Sequence, residues 1–198
     1  ICINGPGARQ SHSARVAAGY SPQVGTLFAS QASEAVALNR GIVAADSEFI
    51  AFLDADDVWH RDKQRAQVEL LTSDTTLDAA TCVTENFSVN PDGSVHGLNS
   101  HESALIAATT FRGRTFERFG LFDESASHFQ WLYRWWARAR RNGIATASIN
   151  VIGLHRRVHG KNSWTQHRSQ GLKELHAELR QSLKAKRHGP SRGESPSR

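Results

Sequence analysis

The stretch FIAFLDADDVW, Phe49 to Trp59, decides the reading of this chain. Its first five residues, Phe49 to Leu53, are a continuous apolar run, short enough for a strand buried on both faces as in a parallel sheet flanked by helices. The run ends in Asp54, Asp56 and Asp57, carboxylates that repel one another. A fold gains nothing by collecting them at a strand end unless something positive meets them there. Carboxylates at i and i+2 at a strand mouth point the same way, and a hard divalent cation such as Mn2+ or Mg2+ takes oxygen ligands in that arrangement, with positions left for phosphate oxygens. The plain alternative is a strand end whose solvated Asp residues cap the next helix.

Working outward, SEAVALNRGIVAAD (Ser33 to Asp46) places Ala35, Leu38, Ile42 and Ala45 at the spacing of one buried helix face. Ser33 is the expected cap, with Glu34 in the positive first turn. Beyond the acidic cluster, His60 to Leu71 returns to helical spacing. Helix, buried strand and helix in close succession predict an α/β layered fold, in which ligands bind outside the carboxyl ends of the strands. The acidic cluster sits at such an end.

Elsewhere the pattern predicts a short helix at Ser13–Gly19 and strands at Val24–Ala29, Ala79–Val89, Leu105–Arg112 and Thr146–Leu154. NPDGS (Asn90 to Ser94) reads as a turn. A short helix is expected at Thr115–Phe119. A longer one is expected at His128–Asn142, with Phe129, Leu132, Trp136 and Ala139 on one face and Gly143 as its stop. Leu172, Leu175, Leu179 and Leu183 stripe an amphipathic tail helix, and the segment from Gly189 onward is too rich in Pro, Gly and Ser to fold. The expected organisation is one domain over residues 1–164, a tail helix over 165–187 and a disordered end over 188–198.

The chain has 198 residues, 39% hydrophobic and 22% charged, the balance of a globular domain. No apolar run approaches the roughly 20 residues that span a bilayer, and no stretch resembles a signal peptide, so the expected location is the cytoplasm or a membrane surface reached peripherally. Cys2 and Cys82 have neither disulfide-framework nor zinc-site spacing and read as reduced thiols. The chain has no Met and begins at Ile1, which points to a lost or unrecorded N-terminus. The net charge of +5 hides an asymmetry: residues 1–133 carry 9 Lys and Arg against 16 Asp and Glu, residues 134–198 carry 15 against 3. The basic third suits nucleic acid, anionic lipid or a phosphate-bearing ligand, or is simply a solvated face.

ALNRGIVAADSEFIAFLDADDVWHRDKQRAQVELL (Ala37 to Leu71), FERFGLFDES (Phe116 to Ser125) and LHRRVHGKNSW (Leu154 to Trp164) together resemble, in order, the family 2 glycosyltransferases of GT-A fold. The resemblance implies a Rossmann-type sheet flanked by helices and transfer of a sugar from a nucleotide-sugar donor, UDP-linked by first expectation, to an acceptor, usually with inversion. It implies that Asp54 and Asp56 meet the donor ribose and the metal, with Asp56 coordinating directly. Asn39 joins the donor-binding set, His159 closes over the metal or diphosphate, and Arg156 and Arg157 suit the diphosphate. The resemblance implies that the acceptor side lies in variable loops such as Asn86 to Ser103, and the acceptor, whether glycan, lipid-linked or peptide, is not specified by this pattern.

The chain departs from the family at two places. The first βα unit is missing, and Ile1–Ile3 reads as the second strand, with Asn4-Gly5 where the family has an Asp pair that recognises the base. The family's general-base slot falls on Ser127 or His128, leaving His128, Asp123 or Glu124 to deprotonate the acceptor. Trp131, Tyr133, Trp135 and Trp136 read first as packing and second as an aromatic platform for a sugar or apolar acceptor. Arg134, Arg138, Arg140 and Arg141 read as a solvated face or a draw for anionic surfaces. Two competing readings are a catalytically impaired remnant that only binds, and a basic nucleic-acid module, which lacks any matching signature.

Overall fold

The computed structural model describes residues 25–29, 33–102, 104–126 and 130–159, the backbone of residues 2–4, and single residues at 15, 19, 173 and 180. The helix expected at Ser13–Gly19, the residues Gly5, Ser127, His128 and Phe129, the Gly160–Trp164 end of the third motif, the tail helix and the segment from Gly189 lie outside them.

Within these bounds the chain is mixed α/β, as expected from the sequence. In chain order the strands are β1 (Cys2–Asn4), β2 (Leu27–Ala29), β3 (Phe49–Ala51), β4 (Val58–Trp59), β5 (Ala79–Val89), β6 (Val95–Glu102), β7 (Thr110–Arg112) and β8 (Thr146–Arg157). The helices are α1 (Glu34–Ala44), α2 (Lys63–Ser73), α3 (Arg114–Phe119) and α4 (Gln130–Arg141), with a 3-10 turn at Ile106–Ala108. Strands β1 and β2 pair in parallel as a separate ribbon, and the main sheet runs β3-β7-β5-β8-β4 with β6 added to β5.

Several expectations need correction. The apolar run at Phe49 is a shorter strand than expected and pairs antiparallel with β7, not in a parallel sheet. Leu53 lies beyond the strand and is 47% exposed. Leu105–Arg112 divides into the 3-10 turn and β7. The segment Asn86 to Ser103 is not a loop, because β5 continues to Val89, turns through Asn90–Ser94 and returns as β6. Ser33 occupies the N-cap of α1 without a side-chain cap bond, and Ala45, expected on the buried face, is exposed just past the helix end.

The core forms around α4. Trp131, Leu132, Trp135, Trp136 and Ala139 are buried against Phe52, Phe111, Phe116 and Phe122. The rings meet mainly edge to face, Phe122 with Trp131 at 4.8 Å and Phe111 with Trp135 at 5.5 Å between centroids, a geometry that adds about 0.5–1.5 kcal/mol per pair beyond area burial. Two of the three buried indoles find an acceptor: Trp135 Nε1 donates to Gly120 O at 2.7 Å and Trp136 Nε1 to Ala104 O at 2.7 Å. The three tryptophans are therefore packing, as first read, and Tyr133 alone of that aromatic group is exposed. Gly143, at φ 75°, ends α4 where a residue with a Cβ would be strained.

Helix α2 is fastened to the sheet by polar groups. Gln67, fully buried, donates from Nε2 to Ala80 O and Ala108 O at 2.9 and 2.8 Å and accepts from Thr110 Oγ1 at 2.8 Å. Arg112 on β7 donates to Leu77 O, Leu71 O and Glu48 Oε1. These bonds tie α2 and the segment after it to β5 and β7, and Arg112 also reaches Glu48 just before β3.

Candidate functional site

At the carboxyl end of β3 the chain leaves the sheet after Ala51 and turns over Asp54–Asp57, closed by Asp57 N–H donating to Asp54 O at 3.1 Å. It rejoins as β4, which pairs antiparallel with Leu154 and His155 of β8. That pairing brings the end of β8 across the acidic turn. The Arg157 backbone N–H donates to Asp57 Oδ1 at 2.9 Å, and His159 Nε2 lies 3.0 Å from Asp56 Oδ2. The first and third sequence motifs thus meet through the sheet.

The cluster has a fourth carboxylate that the sequence reading treated only as a helix-start residue. Glu34, in the first turn of α1, faces Asp54 and Asp56. Desolvation by the surrounding protein, then the charges of Asp54 and Asp56, push its carboxyl up to about 7. Trp131 offers Glu34 its indole edge, which favours the ionised form, without closing a full hydrogen bond. Desolvation and the Asp56 charge likewise raise Asp54, with Arg156 pulling the other way. Asp57 rises to about 6, chiefly by desolvation, against the Arg157 N–H bond. Glu34 and Asp54 keep surface open to water, so water tempers these shifts without changing their direction. Arg156 acts on Asp54 and Asp57, and the His159 imidazole pairs with Asp56.

The other sequence-selected residues are placed differently. Asn39 is buried, and its amide is committed to the turn after α3: Nδ2 donates to Phe122 O and Glu124 Oε1, both at 2.9 Å, and Oδ1 accepts from Phe122 N at 3.0 Å. It holds that turn beside α1. Asp123 accepts from Ser125 N and Oγ and from Arg134 Nη1 at 2.7 Å, bonds that hold its carboxyl below the ordinary range. Arg157 meets the cluster through its backbone, while its guanidinium lies 5.8 Å from the Phe87 ring centroid. His128 lies outside the described residues.

The donor set suits a hard or borderline divalent cation: carboxylate oxygens in excess and one imidazole. Asp56 and His159 already converge, although among the described residues no three His, Cys, Asp or Glu side chains form a metal-holding group by themselves. The residues fit an ion whose remaining positions come from substrate oxygens and water. A hollow of about 710 Å3 lies at the opposite end of β3 beside Ser47, Glu48 and Gly113, and includes no residue of the acidic cluster.

The acidic turn thus lies at a strand's carboxyl end, clasped from β8. The family model for glycosyl transferase family 2 matches residues 12–138, and the chain belongs to that family. Among solved structures it is similar to a mannosyltransferase from Pyrobaculum calidifontis in complex with GDP-Man and Mn2+, with a TM-score of 0.59 and 18% identity. The match covers 93% of this chain and 53% of that one, so the chain spans about half the length of that enzyme. A search of curated proteins finds no match. No helix among the described residues is long and apolar enough to cross a membrane.

Proposed function

We propose that the chain is the donor-binding part of a metal-dependent, inverting glycosyltransferase that uses a nucleotide-diphosphate sugar. The observation that carries this is the convergence of Glu34, Asp54, Asp56 and Asp57 with His159 and Arg156 at the end of β3. Asp56 and His159 would hold a Mn2+ or Mg2+ ion, which when bound supplies Lewis-acid neutralisation of the departing diphosphate. Asp54 stands toward the donor ribose. Arg156 offers its guanidinium to a diphosphate oxygen. The Asp57–Arg157 bond keeps the acidic turn closed against β8, and Asn39 keeps the Phe122–Glu124 turn in place. The neighbouring structure's GDP-Man makes a GDP-sugar as strong a donor candidate as the UDP-sugar of the first expectation.

For the acceptor proton, Asp123 is a weak base because Arg134 and Ser125 stabilise its ionised form. Glu124, bonded to Asn39 Nδ2, and His128 remain. The engagement of Asp123 is the observation that favours the second reading, a chain that binds donor without turnover.

Calorimetry with UDP, GDP and their sugars, with and without Mn2+, on the chain and its Asp56→Asn variant, tests the proposal. Metal-dependent binding lost in the variant supports it. Absence of nucleotide binding by the folded chain sinks it.

A further inference from the structure

The hollow of about 710 Å3 at the far end of β3 lies between the end of α1 and α3. Ile42 and Val43 of α1 line one side, and Phe116 of α3 with Leu121 just after it line the other. Val43 is 74% exposed and Leu121 37%, so apolar surface faces water here. Asp46, Glu48 and Glu117 stand around the same space with Arg112 and Arg114. The Arg112 charge is matched by Glu48 Oε1 at 2.9 Å, and the Arg114 guanidinium turns to Thr75 O. Asp46 and Glu117 have no ion-pair partner among the described residues. The hollow is therefore an apolar cleft with an excess of carboxylate on its rim.

An amphipathic helix with a basic flank is the kind of occupant such a cleft fits, and the sequence of this chain holds one. Leu172, Leu175, Leu179 and Leu183 recur at helical spacing, and residues 172–187 carry five Lys and Arg against two Glu. At about 100° per residue, Lys173, Arg180, Lys184 and Arg187 fall on one flank of that stripe, and Glu174 and Glu178 fall away from it. Most of this segment lies outside the described residues; Lys173 and Arg180, which are described, are helical and exposed. The connection is long enough. Residues 160–171 follow His159 at the acidic cluster and reach about 40 Å when extended, whereas β3 has only three residues between its two ends.

We infer that residues 172–187 of this chain form a helix that lies in the cleft, with its leucines on Val43 and Leu121 and its basic flank beside Asp46 and Glu117. A helix of this length is marginal alone in water, so its persistence depends on that seat. The pairing covers apolar surface on both partners and brings the basic end of the chain against carboxylates of its acidic part.

Hydrogen exchange of the full chain, read by mass spectrometry, is the test. Amides of residues 172–183 are expected to be protected. Leu175→Glu on the helix, and separately Val43→Glu on the cleft, are each expected to lower that protection about 10-fold or more. Val43 is exposed, so unchanged exchange in β5 is the expected sign that the domain stays folded. A double variant, Val43→Cys with Leu179→Cys, is expected to form a disulfide within one chain on oxidation. Protection indifferent to Val43→Glu, or no link within one chain, overturns the proposal. A link formed only between two chains overturns it in favour of a second copy as the occupant. Protection that appears only with phosphatidylglycerol vesicles overturns it in favour of a membrane surface as the helix's partner.

Discussion

Nε2 of His159 lies 3.0 Å from Oδ2 of Asp56, across 103 positions of sequence. The contact exists because β4, only Val58 and Trp59, pairs with β8 and carries the end of that strand over the acidic turn. A carboxylate and an imidazole so placed need a proton or a metal ion between them.

Asp56→Asn is expected to abolish Mn2+-dependent nucleotide affinity. His159→Ala, which removes one ligand position, is expected to weaken it about 10- to 100-fold, the size of effect usual when the surroundings of a metal site are altered. Calorimetry at several Mn2+ concentrations separates the two. Metal-dependent affinity unchanged in both variants would remove this pair from the metal site.

The acidic cluster makes the metal-free protein sensitive to pH in a definite direction. Glu34 rises from 4.5 to about 7 and Asp57 from 3.8 to about 6 on folding. The folded chain therefore binds more protons than the unfolded chain between these limits, and stability falls as pH rises from about 4 to about 7. Glu34→Gln is expected to raise the metal-free melting temperature near pH 8 and to change it little near pH 4. Added Mn2+ should stabilise the wild-type chain more as pH rises. Thermal melts across that range decide it, and a melting temperature that climbs with pH without metal contradicts the cluster as described.

Lys63 is 1% exposed and its Nζ has no hydrogen-bond acceptor among the described residues. It sits 4.5 Å from the centre of the Trp59 ring, and burial lowers its amine to about 8. Because the folded value lies below the ordinary 10.5, the penalty is present at neutral pH and disappears as pH rises toward the unfolded value. Lys63→Met, which keeps the apolar stem, is expected to stabilise the fold at pH 7 by about 1–2 kcal/mol after loss of the cation–π contact. Denaturant titration should show that gain shrinking by about pH 10; a destabilised variant would reveal a partner for the amine.

Gly153 on β8 has Cys82 and Lys63 against it. A Cβ there would lie 2.6 Å from Cys82 Sγ and 3.1 Å from Lys63 Cγ. Gly153→Ala is expected to cost about 1–3 kcal/mol by overpacking, and because β8 carries Arg156 and leads into His159, to weaken nucleotide binding as well. Gly97, with open space around it on β6, serves as the control: Gly97→Ala should leave both measurements near wild type.

Much of the fold was legible because its strongest signals are local. The Ala35–Ile42 stripe, the strand at Ala79–Val89 and the Gly143 stop each follow from period or turn chemistry, and each appears in the structure. Strand β6 was not legible. Both its faces are exposed, so VHGLNSHE has no apolar alternation, and only hydrogen bonding to β5 makes it a strand. Helix α2 hides its packing in the same way, since Lys63, Gln67 and Leu71 form its buried side and two of the three are polar.

The sequence by itself determined the family, the acidic turn after β3 and the residue types able to meet a metal and a diphosphate, because these depend on neighbouring residues and on motif order. Only the tertiary structure decided which of those residues meet. It drew Glu34 into the cluster, joined His159 to Asp56, turned Asn39 toward the Phe122–Glu124 turn and tied Asp123 to Arg134. Those outcomes depend on contacts between segments tens of residues apart, and the pairing of β4 with β8 and the packing of α1 and α4 set them, leaving no periodic mark in the chain.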